Sequence, residues 1–411
     1  MINTGDTAWL LASAALVLLM TPGLALFYGG MVRTKNILST LMMSFALLGV
    51  ISILWALYGY SLAFGDDLGG MIGKLNFLGL MNVGQAPSAI YAKTVPHLAF
   101  MAYQGMFAII TVALWTGGVV ERIKFSAFLI FAVLWFTLIY SPIAHWVWGA
   151  GGWLGPDHLG ALDFAGGTVV HVNAGMTALA LAILLKPRKG FHEKVPMNPG
   201  NIPLVLIGAG LLWFGWFGFN AGSALAANGL AASAFVSTNI AAAAGAVMWM
   251  LLAWRDRRPS ALGIAAGAVA GLVAITPAAG FVNPIAGIPI GAVASIICYY
   301  AIIWRTKKSG IDESLDVWAV HGMGGIWGAL ATGIFANAAV GGVDGLLWGN
   351  ASQVIKQLVA VGSVAAFSFI GALVLGKLVD MTIGLRVNAD EETVGLDISQ
   401  HGERAYGGAL P

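Results

Sequence analysis

The chain has 411 residues, of which 59% are hydrophobic and only 9% are charged. Soluble domains carry about 25% charged residues, so this composition excludes a water-soluble globular protein and predicts an integral membrane protein. The net charge of +2 gives no reason to expect nucleic-acid binding. The single cysteine, Cys298, excludes an internal disulfide.

Eleven apolar runs are long enough to cross a bilayer as helices, which takes about 20 residues each. The first run has no basic segment before it and is too long for a cleaved signal, so we expect it to remain as a span. The last run is long enough to require a strong tilt or a projection from the membrane. The runs cover residues 8–31, 37–63, 98–119, 125–145, 164–185, 201–221, 232–254, 260–277, 285–304, 317–337 and 353–384.

Positive charge lies almost entirely in the loops that follow odd-numbered spans, at the end of the last span and in the tail. Only Lys74, Lys93 and Lys356, of the 20 lysines and arginines, lie on the other side. The positive-inside rule therefore predicts an external N-terminus and a cytoplasmic C-terminus. We expect the polar tail, 386–411, to act as a lid, an anchor or a docking strip on the cytoplasmic side of a transmembrane domain over 1–385.

Two of the seven histidines lie deep inside spans, His171 in TVVHVNAG of the fifth and His321 in DVWAVHGMGG of the tenth. Their positions predict two five-span repeats, about 8–185 and 201–337, followed by the eleventh helix. Because five is odd, the second repeat must be inverted, an architecture that forms substrate sites near the membrane midplane. A single buried histidine is often structural, but a pair at corresponding positions favours a shared site.

The other candidate residues also have plain structural explanations. Neither histidine has an HxxxH spacing or a carboxylate one turn away, so we expect no metal site and no cofactor. Asp163, at the start of the fifth span, is equally explained as an N-terminal helix cap. Trp148 in an outer loop is typical of the membrane interface. Phe107 and Phe219 lie inside spans, where packing is the ordinary role of a phenylalanine.

Taken together, several sequence strings resemble the ammonium transporter family (Amt/Mep/Rh), on its bacterial Amt branch, from the first span to the tail. Two positions depart from the family pattern: Tyr103 stands where Phe is frequent, and Leu315 where relatives can carry Cys. Neither belongs to the central set of site residues. The strings are TPGLALFYGG (21–30), YQGMF (103–107), SPIAHWVWGAGG (141–152), DFAGGTVVHVNAG (163–175), GWFGFNAGSA (215–224), TPAAGF (276–281), DVWAVHGMGG (316–325) and GLDISQHGERAY (395–406).

The resemblance implies an all-α polytopic fold of about eleven transmembrane helices, a 5+5 inverted repeat plus a long eleventh helix. It also implies a homotrimer in the cell membrane with one pore per subunit. The roles it implies are an outer substrate site (Trp148, Phe107, Ser223 and Asp163), a gate (Phe107 and Phe219), a pore-lining and proton-relaying pair (His171 and His321) and a pore-near threonine (Thr276).

These observations favour nitrogen uptake by an ammonium transporter that recruits NH₄⁺, deprotonates it and conducts NH₃ with a separately relayed proton. We expect no enzyme, because no nucleophile–base–acid set accompanies the histidines. One alternative is a Rh-like channel for ammonia or CO₂, against which Trp148 and Ser223 argue. Another is an ammonium sensor that acts through a partner. The tail and the resemblance also imply a PII-type regulatory protein at the cytoplasmic face.

Overall fold

The structure, a computed structural model, describes residues 1–256 and 258–407. Its long helices follow the eleven predicted spans. Within the described residues, nine of these helices are long and apolar enough to cross a membrane by themselves. The other two are α8, which is shorter, and α10, which consists of two consecutive helical pieces. The helices are α1 (Thr4–Met31), α2 (Thr34–Phe64), α3 (His97–Gly118), α4 (Phe125–Trp148), α5 (Gly167–Leu185), α6 (Ile202–Ala224), α7 (Gly229–Asp256), α8 (Ala261–Ile275), α9 (Pro284–Ser309), α10 (Trp318–Met323 continued by Gly324–Phe335) and α11 (Ser352–Thr382).

The predicted multi-helix membrane fold is confirmed, but two boundaries that matter for function differ from the prediction. Helix α4 continues past residue 145, so Trp148 is the last residue of a helix and does not lie in a loop. Helix α5 begins only at Gly167, so Asp163 precedes the helix and does not begin it. Hydropathy measures apolar content, whereas helix ends are set by capping contacts, which explains both shifts.

Short β-ladders occur in the loop between α2 and α3. Strand β1 (Asp67–Leu68) pairs with β2 (Ile72–Gly73), and β3 (Pro87–Ser88) pairs with β4 (Ala92–Pro96), both antiparallel. We call the side of this loop and of the N-terminus the outer side, and the side of the tail the inner side. Backbone polar groups within a bilayer must pair inside the segment, so the spans themselves are helical.

Helices α5 and α10 cross in contact at glycines placed four residues after each histidine. A Cβ atom on Gly175 would lie 2.3 Å from the amide nitrogen of Gly322. A Cβ atom on Gly325 would lie 3.0 Å from the Cβ atom of His171. Small residues at both positions therefore allow the two backbones to approach each other, as in other membrane helix pairs.

The tail folds back onto the inner loops through two short helices, α12 (Ala389–Val394) and α13 (Leu396–His401). The ammonium group of Lys35 donates to the backbone carbonyl oxygens of Glu392 and Thr393, at 2.9 and 2.6 Å. Asp397 accepts from the backbone N–H of Ser39 at 2.8 Å. Among the roles considered for the tail, these contacts favour an anchor.

Buried ion pairs join the loops that follow α1, α3, α5 and α9 on the inner side. Glu121 lies 2.9 Å from Nε of Arg33 and 2.5 Å from Nη1 of Arg188. Arg188 also lies 2.7 Å from Asp312. Burial would raise the pKa of Glu121, but the guanidinium groups of Arg188 and Arg33 outweigh burial and lower that pKa to about 2. The network therefore holds its carboxylates ionised.

Glu121→Gln is expected to lower the free energy of unfolding by about 3 kcal/mol, because it leaves two guanidinium groups without their buried partner. The lowered pKa gives the wild type an advantage over the variant that is fully present above about pH 5 and is lost as the pH falls towards 2. Unfolding of the purified protein in detergent, followed by temperature at several pH values, measures both effects.

The pair between Arg255 and Asp256 provides the matched control, since its side chains are 62% and 35% exposed. Exposed pairs contribute little to stability, so Asp256→Asn should leave the unfolding temperature unchanged. Equal losses in the two variants would contradict a special role of the buried network.

Candidate functional site

A cavity of about 280 Å³ opens on the outer side, between the outer parts of α3, α4 and α6 and the loop that precedes α5. Its lining includes Phe107, Trp148, Asp163 and Ser223. The four residues that the sequence assigned to an outer substrate site therefore lie around one space, although they are up to 116 positions apart in the chain. The expected set is brought together by the packing of three helices and the loop before α5.

The aromatic and hydroxyl groups in this cavity have defined contacts. The rings of Phe107 and Trp148 stand edge to face, with centroids 5.9 Å apart and an interplanar angle of 88°. The hydroxyl of Ser223 donates to the carbonyl oxygen of Phe219 at 2.9 Å and lies 3.1 Å from the hydroxyl of Tyr103. Since its own hydrogen is used in this way, the Ser223 oxygen offers a lone pair to a cation.

Asp163 acts as the cap of α5. Its carboxylate accepts from the backbone N–H groups of Gly166, Gly167 and Thr168, at 2.8, 2.6 and 2.7 Å, and from the hydroxyl of Thr168. Its backbone carbonyl accepts from the indole Nε1 of Trp148 at 3.0 Å. Asp163 therefore connects the start of the histidine-bearing helix with the aromatic wall of the cavity, as a support for the site.

Two phenyl rings close the inner end of the outer cavity. Phe107 and Phe219 are stacked, with ring centroids 4.2 Å apart and an interplanar angle of 29°. Both side chains are buried, and Phe219 also borders a smaller cavity beyond the stack. The predicted gate residues thus lie face to face between two spaces.

His171 and His321 lie directly beyond the phenyl rings and contact each other. Their Nδ1 atoms are 3.2 Å apart, at hydrogen-bonding distance. A hydrogen bond between two Nδ1 atoms requires one ring to carry the hydrogen on Nδ1 and the other to accept it. The predicted histidine pair is therefore a direct contact between two rings with complementary roles, and one proton lies between them.

Trp216 supports this pair, a role that the sequence pattern did not indicate. Its ring lies parallel to that of His171, with centroids 5.4 Å apart. Its Nε1 donates to the hydroxyl of Thr276 at 2.8 Å, and that hydroxyl donates to the carbonyl oxygen of Leu272 at 2.8 Å. Thr276 therefore lies behind Trp216 and positions the indole against the histidine.

Space is scarce around the histidines and opens again on the inner side. The cavity that contains both imidazoles has a volume of only about 10 Å³, close to the smallest space that holds one water molecule. An inner cavity of about 220 Å³ follows, and it shares Phe27, Val269 and His321 with the narrow one. Three spaces are thus arranged in order, with the histidines at the narrowest.

A carboxylate caps each of the two histidine-bearing helices. Glu313 accepts from the backbone N–H groups of Val317 and Trp318, at 2.9 and 3.2 Å, and it precedes His321 by the eight residues that separate Asp163 from His171. Burial raises the pKa of Glu313 to about 7, although the Arg305 guanidinium opposes this shift. The equal spacing was a signal in the sequence that could have identified Glu313.

Two polar groups near the outer cavity were not singled out either. Tyr103 was noted only as a departure from the family pattern, yet its hydroxyl lies 2.9 Å from the carbonyl oxygens of both Gly218 and Phe219. Gln104 lines the outer cavity, and its buried Oε1 atom has no partner in the protein. Within residues 1–256 and 258–407, no group of three His, Cys, Asp or Glu side chains is placed to hold a metal ion.

The chain is similar to known proteins along almost its whole length. The sequence matches the profile of the Ammonium Transporter Family over residues 8–406. It is 52% identical to ammonium transporter Amt1 of Archaeoglobus fulgidus over 404 residues, 98% of this chain and 100% of the relative. It is 50% identical to an ammonium transporter of Bacillus subtilis over 405 residues, 98% of each chain.

Solved structures agree with the sequence relatives. The crystal structure of Mep2 from Saccharomyces cerevisiae matches with a TM-score of 0.90 and 35% sequence identity, covering 100% of this chain and 94% of that one. The curated relatives are ammonium transporters and not enzymes. From the profile match, the sequence relatives and the shared helical fold, the chain belongs to the ammonium transporter family, and it is a multi-pass membrane protein that transports ammonium.

Proposed function

We propose that NH₄⁺ binds in the outer cavity, loses a proton and crosses the narrow part of the pore as NH₃, while the proton is relayed by His171 and His321. The observation that carries this proposal is the space of about 10 Å³ that holds both imidazoles between two larger cavities. Bringing a bare ion into a medium of ε ≈ 4 costs on the order of 20 kcal/mol in the Born limit. K⁺ has no proton to release, so such a passage excludes it.

In the outer cavity, the cation is held by its charge and by one acceptor. The rings of Trp148 and Phe107 offer aromatic faces, each worth about 0.5–2 kcal/mol for a cation depending on desolvation. The Ser223 oxygen accepts a hydrogen bond from the ammonium. Asp163 stays in its capping role, because its carboxylate oxygens are occupied by N–H and O–H donors.

The stacked rings of Phe107 and Phe219 act as a gate that must move for each passage. Rings 4.2 Å apart leave no room for a molecule between them. Brief rotation of the rings opens the stack and admits neutral ammonia without a continuous column of water. The gate thereby favours the neutral species over any hydrated ion.

Beyond the gate, the imidazole pair replaces the hydrogen bonds that ammonia leaves behind in water. The Nε2 atom of His171 is buried and has no hydrogen-bond partner among the residues that the structure describes, so it is available to ammonia. The shared hydrogen between the two Nδ1 atoms lets a proton accepted on one ring be passed to the other. His321 borders the inner cavity, where the proton and ammonia are released. This chemistry favours ammonium over the CO₂ of a Rh-like channel.

We also propose that residues about 8–185 and 201–337 are inverted repeats within a transmembrane domain over 1–385, with the tail at 386–411. Three features support this: the equal spacing of Asp163 and Glu313 from their histidines, the reciprocal glycine contacts of α5 and α10, and left-handed backbone at Gly166 and Asp316, each five residues before a histidine.

The family resemblance and the charge distribution support three further proposals. The chain forms a homotrimer in the cell membrane, its N-terminus is external and its tail is cytoplasmic. A PII-type regulatory protein docks on the inner face, where the basic loops and the anchored tail meet. Lys35 and Lys189 both contact the tail helix α12 there, so a protein bound to the tail acts directly on the inner loops.

Trp148→Leu should raise the half-saturating ammonium concentration about two- to thirtyfold, the loss expected from one cation–π contact of 0.5–2 kcal/mol. Ammonium-driven current in liposomes measures it. Trp254→Leu, at an exposed tryptophan on α7, is the matched control and should behave as the wild type. An unchanged half-saturating concentration in the Trp148 variant would remove this residue from the substrate site.

His171→Asp and His321→Glu should each weaken discrimination against K⁺, because a carboxylate in the membrane gives a bare cation a counter-charge and draws in water. Growth of a K⁺-uptake-deficient strain on low K⁺, together with K⁺ current in liposomes, reports the change. His171→Asn and His321→Gln bring no charge and should still exclude K⁺. If the acidic variants excluded K⁺ while conducting ammonium normally, the pathway would lie elsewhere.

Deletion of residues 386–411 should abolish recovery of a PII-type protein when the transporter is pulled down from membranes of nitrogen-replete cells. In a separate pair of fusions, a reporter placed after Arg386 should read as cytoplasmic, and one placed at Met1 should read as external. Recovery of the same amount of partner without the tail, or reporters on the same side, would contradict the docking or the orientation respectively.

A further inference from the structure

The eleventh helix carries buried polar side chains although it belongs to neither proposed repeat. Gln353 and Gln357 are each only 1% exposed, and they lie one turn apart near the outer end of α11. A polar group without a partner is costly in a membrane interior, so such residues are retained where they form specific contacts. The contacts of these two amides therefore indicate what α11 does.

Gln357 pairs with both main-chain polar groups of a single residue. Its Oε1 accepts from the backbone N–H of Leu162 at 2.7 Å, and its Nε2 donates to the carbonyl oxygen of Leu162 at 2.7 Å. The same Nε2 lies 3.0 Å from the carbonyl oxygen of Ala329 on α10. Gln353 donates to the carbonyl oxygen of Gly160 at 2.9 Å. One side-chain amide thus joins the loop before α5 to α10.

Leu162 directly precedes Asp163, so whatever fixes Leu162 also fixes the cap of α5 and the carbonyl group that receives the indole of Trp148. The connection from α4 to α5, residues 149–166, has no long helix or strand. Irregular loops of this length are usually mobile unless something holds them. The amides of α11 hold its last part at Gly160 and Leu162. The backbone N–H of Phe164 adds a hydrogen bond to the carbonyl oxygen of Pro277.

We propose that Gln357 is a positioning residue for the outer cation site: by pairing with the Leu162 backbone, it keeps Asp163, and through it the indole of Trp148, in the orientation that binds ammonium. The inference rests on the proposed outer site. It assigns α11 a part in substrate affinity, although none of its side chains reaches the substrate. Helix α11 approaches α10 closely at Gly333, where an added Cβ would lie 2.9 Å from Cγ of Gln357. This packing restricts the movement of the Gln357 side chain.

Gln357→Leu keeps the approximate size of the side chain and removes its hydrogen bonds. The half-saturating concentration of ammonium-driven current in liposomes is expected to rise about three- to tenfold, with the maximal current within about twofold of the wild type. A residue needed only for folding would instead lower the maximal current, by reducing the amount of active protein, and would leave the half-saturating concentration unchanged. That result would overturn the proposal.

Ser368→Ala is the matched control, because Ser368 is also buried on α11 and hydrogen-bonds Asn173, away from the outer loop. It should leave the half-saturating concentration unchanged, and a shift equal to that of Gln357→Leu would overturn the specific role of Gln357. Trp148→Leu, measured in parallel, distinguishes a failure of the positioning role of Gln357 from a failure of the proposed outer site. If the Trp148 variant shows the expected shift and the Gln357 variant none, only the positioning role fails; if neither shifts, the outer site itself fails.

Gln353→Leu keeps the inference testable if Gln357→Leu does not insert into the membrane. It removes only the contact with Gly160 and the weaker one with Gln357, which is 3.3 Å long. It should shift the half-saturating concentration in the same direction but less. An unchanged half-saturating concentration in a well-inserted Gln353 variant would count against a role of the α11 amides in holding the loop before α5.

Discussion

The crossing of α5 and α10 is the constraint on which the pore depends. Gly175 and Gly325 leave the space in which each helix passes the other, so that a methyl group at Gly175 would lie 2.3 Å from the amide nitrogen of Gly322. Only at this separation do the Nδ1 atoms of His171 and His321 come within 3.2 Å. Bulkier side chains would separate the rings and open a space that admits water.

Polar groups inside the membrane part are costly, and several of them here have defined partners. The helices that carry the histidines begin with carboxylate caps, so their free backbone N–H groups are satisfied where the chain turns within the protein. Trp216 is held by Thr276 and in turn holds His171. The Nε2 atom of His171 has no hydrogen-bond partner among the described residues, and in the proposed mechanism it is the group that ammonia meets.

The two surfaces are organised differently around this rigid middle. On the outer side an irregular loop borders the substrate cavity and is held by the amides of α11. On the inner side buried ion pairs, among them Glu121 with Arg33 and Arg188, connect loops from both halves of the chain, and the tail lies on them. The proposed sites of substrate capture and of regulation thereby lie at opposite ends of the same pair of central helices.

The sequence by itself determined the number of spans, the charge asymmetry of the loops and the presence of a histidine in each of two corresponding helices. These properties follow from local hydropathy, loop composition and spacing along the chain. Residue strings were also sufficient to identify the family and to name residues that the structure brings together, namely those around the outer cavity, the two stacked phenyl rings and the histidine pair. Only the tertiary structure decided that Trp148 ends a helix, that Trp216 supports His171 and that Gln357 clamps Leu162, because each of these depends on capping or on packing between segments far apart in the sequence, which no local pattern records.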